Sequence, residues 1–132
     1  MIFIDTSALY ALADTKDNDH ARAKDIFEHL LRSGEDLLTH NYCIVETSAL
    51  IQHRLGFVLA QAFLQDVSLF SVVWIDGRMH DNTVLLFTSL KKRKVSFVDC
   101  TSFVVMKARG VQRVFAFDED FAKQGFVLVG DK

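Results

Sequence analysis

Residues 1–9 read Met-Ile-Phe-Ile-Asp-Thr-Ser-Ala-Leu. Ile2, Phe3 and Ile4 form a short β-prone run, and Asp5 follows at once, where a lone carboxylate is expensive to bury. Ala8, Leu9, Ala11 and Leu12 then recur at helical spacing, so the stretch predicts a strand that passes into a helix at an acid. The rest of the chain repeats this order. An amphipathic helix is predicted over Asp19–Arg32, a strand at Leu37-Leu38-Thr39, a helix from Asn41 to Gly56, and a further helix over Phe57–Val67. Ser71–Ile75 is strongly β-prone and leads to a helix through Val84, Leu85, Phe87 and Leu90. Val95–Val98 is apolar but short; Asp99 leads a helix through Phe103, Val104 and Met106 that ends at Gly110. Val114–Phe117 and Phe126–Val129 are the last two strands. Strands separated by helices predict an α/β fold with a mostly parallel sheet, because parallel neighbours need a crossover. The near-continuous apolar strands agree, since both sheet faces are then covered. In such sheets ligands bind beyond the carboxyl ends of the strands, and Asp5 stands where its strand reaches that end.

At 132 residues and half apolar content, without proline or a linker-like tract, the chain fits one domain over residues 1–132. Cys43 and Cys100 are too few for a disulfide framework and lie in apolar contexts that suit small buried thiols. No run approaches the ~20 apolar residues of a membrane span. Asp5 interrupts the only apolar N-terminus open to a signal peptide, which points to a soluble cytoplasmic protein. A net charge of −2 says little about partners. Its distribution is more informative, because Lys91-Lys92-Arg93-Lys94 is a compact basic run followed by Lys107, Arg109 and Arg113. His20, His29, His40, His53 and His80 show no metal-ligand spacing, and Trp74 and most phenylalanines read as core.

The acids repeat the pattern of Asp5. Asp118 follows Val114–Phe117, Asp76 follows Val73-Trp74-Ile75, Asp99 follows Phe97-Val98, and Glu46 lies inside the apolar face of its predicted helix, between Val45 and Thr47. Taken singly, Asp5 and Asp99 also read as helix caps, Asp118-Glu119-Asp120 as a solvated turn, and Glu46 as the buried partner of a cation. Together they point to one end of the sheet. Close carboxylates repel and raise one another's pKa unless a counter-charge is present. Mg²⁺ or Mn²⁺ prefers oxygen ligands of this kind, and such ions suit phosphodiester hydrolysis.

Four segments carry a resemblance. Ile2-Phe3-Ile4-Asp5-Thr6-Ser7-Ala8-Leu9, Asn41-Tyr42-Cys43-Ile44-Val45-Glu46-Thr47-Ser48-Ala49-Leu50, Val95-Ser96-Phe97-Val98-Asp99-Cys100-Thr101-Ser102-Phe103 and Phe115-Ala116-Phe117-Asp118-Glu119-Asp120-Phe121 resemble the four acidic motifs of PIN-domain ribonucleases, especially VapC-type toxins. The resemblance implies a three-layer α/β/α sandwich around a mostly parallel sheet and endonucleolytic cleavage of single-stranded or looped RNA. It assigns Asp5, Glu46 and Asp99 to Mg²⁺ or Mn²⁺, with Asp118 as the fourth acid and Asp120 as its alternative. Ser7 and Thr101 match small hydroxyl residues that orient the acids. An antitoxin partner and a homodimer are implied in the same way, through middle helices where Phe57, Val58, Phe63 and Leu64 leave an apolar patch.

Lys91, Lys92, Arg93 and Lys94 read either as an RNA phosphate rim or as a solvated helix end. Two other functions fit parts of the pattern. A receiver-like signalling domain would take Asp76 as phosphoacceptor but leaves Glu46 and Asp99 unexplained. A non-catalytic binding module on the same fold is the second alternative.

Overall fold

A computed structural model describes residues 1–130. Its strands are β1 (Ile2–Ile4), β2 (Leu37–His40), β3 (Ser71–Val73), β4 (Arg113–Phe115) and β5 (Val127–Leu128). The helices are α1 (Thr6–Ala13), α2 (His20–Arg32), α3 (Asn41–Leu55), α4 (Phe57–Asp66), α5 (Gly77–Leu90), α6 (Phe97–Arg109) and α7 (Asp120–Lys123). All five strands are parallel, in the order β3-β2-β1-β4-β5.

The alternation of β1 builds the two cores. Phe3 points into a cluster with Leu38, Phe103, Met106 and Val114 under α5 and α6. Ile2 and Ile4 point the other way, into a cluster with Leu9, Ala23, Leu30 and Phe115 under α1 and α2. The result is the α/β/α sandwich expected from the resemblance. β1–β3 step outward in one direction, whereas β4 pairs on the other side of β1. A crevice therefore opens beyond the carboxyl ends of β1 and β4, where the chain order reverses. Receiver-like domains use the order 2-1-3-4-5, so the sheet removes that alternative. Asp76 fits this outcome, as its carboxylate is exposed and caps α5 through the Met79 N–H at 2.8 Å.

Three details depart from the sequence reading. β3 stops at Val73, at a sheet edge, so Trp74 is 73% exposed and is not a core residue. The helix assigned to Asp99 begins two residues earlier, because Ser96 is its cap and Asp99 completes a reciprocal capping box. On α4, Phe57, Val58 and Leu64 are exposed, but Phe63 turns inward against Leu9 and Phe27. At the far end of α6, Gly110 takes the left-handed φ of +66° that ends the helix, and the Val111 N–H donates to the Met106 carbonyl.

Candidate active site

Asp5 leaves β1 as the N-cap of α1, with its Oδ2 accepting the Ser7 N–H at 3.1 Å and the Ser7 hydroxyl at 2.6 Å. The same hydroxyl accepts the Phe117 N–H at 3.0 Å. Ser7 thereby ties the end of β1 to the segment that carries Asp118. The Asp5 Oδ1 is buried and has no hydrogen-bond partner among the described residues. Burial first, then the charges of Asp99 and Asp118, push the Asp5 pKa up to about 7 against the lowering effect of Ser7.

Asp99 comes from the first turn of α6, where its Oδ2 accepts the Ser96 N–H at 3.0 Å. Asp118 lies in the turn after β4, and its Oδ1 accepts the Asp120 N–H at 2.9 Å. The half-buried carboxylates of Asp99, Asp118 and Asp120 approach within 4.8 Å of one another. Burial and neighbouring charge raise Asp99, and burial followed by Asp99 and Asp120 raises Asp118 to about 6. Asp5 stands beside this triplet, near enough for the charges to interact. Glu46, on the second turn of α3, is half-buried and adds its charge to the field at Asp99. It does not lie in an apolar face, because its neighbour Val45 is 64% exposed and the buried side of α3 is Cys43, Thr47 and Ile51.

Asp118 and Asp120, alternatives in the sequence reading, both place a carboxylate in the cluster. Residues two apart across a tight turn can both face the crevice, a geometry that spacing alone leaves open. The buried Thr101 hydroxyl donates to the Phe97 carbonyl one helical turn back, at 2.9 Å, and not to a carboxylate as the resemblance implies. Lys92, Arg93 and Lys94 line an open depression of about 700 Å³ with Ser7, Asp118 and Asp120. Lys91 ends α5 in a left-handed conformation outside that lining.

The donor set is oxygen throughout, several of its acids resist ionisation, and one buried carboxylate oxygen has no partner among the described residues. These features fit a hard divalent cation.

Residues 2–127 match the PIN domain family. The chain belongs to that family. The 23S rRNA-specific endonuclease VapC20 of Mycobacterium tuberculosis is 33% identical over 131 residues, which cover 98% of each protein. The crystal structure of VapC20, described as a sarcin-ricin loop cleaving toxin, matches with a TM-score of 0.85 at 32% identity, over 96% of this chain and 97% of that one. PAE2754 from Pyrobaculum aerophilum shares the PIN fold, with a TM-score of 0.63 at 22% identity over 97% and 88% of the two chains. Among the described residues no helix is long and apolar enough to cross a membrane.

Proposed function

We propose that this PIN-domain protein is a divalent-metal-dependent endoribonuclease of the VapC type, acting on RNA in the cytoplasm as the toxin of a toxin–antitoxin pair. The observation that carries the reading is the acidic crevice, where Asp99, Asp118 and Asp120 gather within 4.8 Å beside Asp5 and its unpartnered buried oxygen.

Asp5, Asp99 and Asp118 would hold Mg²⁺ or Mn²⁺, with Glu46 and Asp120 completing the charge directly or through water. Bound there, the ion supplies Lewis-acid polarisation of a phosphoryl oxygen and a water of lowered pKa. Ser7 keeps Asp5 in one orientation by donating to its Oδ2 while accepting the Phe117 N–H. Lys92, Arg93 and Lys94 hold the flanking phosphates, which positions an RNA without reading its sequence. RNA as the substrate is supported by full-length likeness to VapC20, and a 23S rRNA sarcin-ricin stem-loop is the first substrate to test. The exposed Phe57, Val58 and Leu64 of α4 suit a protein partner, either the antitoxin or a second copy of this chain.

The test is cleavage of that stem-loop by protein purified free of antitoxin, with Mn²⁺ or Mg²⁺ present or chelated, beside Glu46→Gln and Asp99→Asn. Metal-dependent cleavage lost in both variants is expected. Equal cleavage by the wild type and both variants would identify a contaminant and remove the assignment.

A further inference from the structure

Behind the carboxylates lies a buried polar chain that they do not use. His40 ends β2, caps α3 and has no exposed surface. Its Nδ1 accepts the Cys43 backbone N–H at 3.1 Å, so Nδ1 carries no proton and a neutral ring carries it on Nε2. Burial pulls the His40 pKa down to about 3, which keeps the ring neutral at physiological pH. Nε2 then donates to the Ser102 Oγ at 2.9 Å, and that hydroxyl donates to the Val98 carbonyl at 3.1 Å. A backbone donor at one end and a backbone acceptor at the other fix the direction of every proton between them. The Cys43 thiol lies 3.4 Å from Nε2 and 3.7 Å from the Ser102 hydroxyl.

The chain joins the first turn of α3 to the start of α6, two helices that pack together. Glu46 stands three residues beyond Cys43 on α3, and Asp99 directly follows Val98 on α6. A buried polar network holds its members in one arrangement, since breaking any bond leaves an unsatisfied group behind. We infer that His40 and Ser102 are positioning residues that lock the N-terminal turns of α3 and α6 together, so that Glu46 and Asp99 keep the spacing a bound cation requires. The inference rests on the metal-dependent reading of the site, but its first readout needs no RNA.

His40→Asn retains a side-chain acceptor for the Cys43 N–H yet is too short to reach Ser102, and Ser102→Ala removes the other partner. Mn²⁺ affinity, measured by electron paramagnetic resonance of the free ion, is expected to fall about 10- to 100-fold in each variant. The double variant should bind no worse than the weaker single one. In stem-loop cleavage kcat should fall while KM for RNA stays constant. Folded variants with wild-type Mn²⁺ affinity overturn the inference, and so do losses that multiply in the double variant, because they mark two independent packing effects. If the variants do not fold, ¹⁵N NMR of the wild type decides. An Nε2–H tautomer whose signal shifts on saturation with Mg²⁺ supports the lock, whereas an Nδ1–H tautomer or an unmoved signal overturns it. A wild type that binds Mn²⁺ but cleaves no RNA would defeat the nuclease reading and leave this one to the affinity data. A wild type that binds no Mn²⁺ would defeat both.

Discussion

Asp5→Asn should stabilise the metal-free protein at pH 8 while destroying the site. Asp5 is 2% exposed, and its pKa rises from 3.8 to about 7 on folding. Because the folded-state value is the higher one, protonation favours the folded state. The contribution is fully present below pH 3.8 and is lost as pH rises to about 7. That shift corresponds to roughly 4 kcal/mol of stability forfeited at pH 8 when no cation is bound. Asparagine removes the charge and keeps an oxygen for the Ser7 N–H and hydroxyl, which both bond Oδ2. It also places an NH₂ donor where Oδ1 has no partner among the described residues, at a cost of about 1–3 kcal/mol. The net gain at pH 8 is therefore about 1–3 kcal/mol.

Urea denaturation in chelator at pH 8 and pH 4 tests this sum. The variant should be the more stable at pH 8, and its advantage should vanish at pH 4, where wild-type Asp5 is already protonated in the folded state. Millimolar Mg²⁺ at pH 8 should then reverse the order, because it stabilises only a protein that binds it. A variant less stable than wild type at pH 8, with a difference that does not change down to pH 4, would refute the account of Asp5 as a strained, cation-ready acid.

With Asp5 near pKa 7 and Asp118 near 6, Mn²⁺ binding should release about one proton at pH 6.5 and about a tenth as many at pH 8. Calorimetry in buffers of different ionisation enthalpy measures this, and equal release at both pH values would contradict the raised acids. Asp118→Asn and Asp120→Asn should both lower Mn²⁺ affinity, since both carboxylates belong to the triplet; an unchanged affinity in either removes that residue from the site. Replacing Lys92, Arg93 and Lys94 with glutamine should reduce the salt slope of RNA binding by about 2, near 0.7 per lost single-strand phosphate contact. An unaltered slope in filter-binding titrations would take the run out of the interface.

The strand-then-acid rhythm made the sheet and most of the crevice legible, because fully covered parallel strands must be apolar and an acid at their carboxyl ends breaks the run. Trp74 departs from the core reading for a physical reason: composition does not say where an edge strand stops, and Ser71–Val73 ends one residue before the indole. Thr101 shows why a hydroxyl is hard to place from sequence, because a threonine inside a helix can bond its own backbone, and here it does so with Phe97. His40 carried no usable signal. A single histidine within Leu37–His40 shows no metal spacing, and its partner Ser102 lies 62 residues away.

A local backbone bond and a place in the acidic cluster are compatible for each aspartate. Asp5 gives Oδ2 to Ser7, Asp99 gives Oδ2 to the Ser96 N–H, and Asp118 gives Oδ1 to the Asp120 N–H. Each carboxylate has one oxygen bound to a backbone donor that fixes its rotamer, and each has a second oxygen that these donors do not occupy. The caps and the turn bond hold the acids together despite their mutual repulsion, and that repulsion is what raises their affinity for a cation. An aspartate here cannot therefore be sorted as structural or functional by asking which bond it makes. Asparagine keeps the anchored oxygen and loses the charge, whereas alanine loses both, so the difference between the two substitutions measures the cap separately from the site.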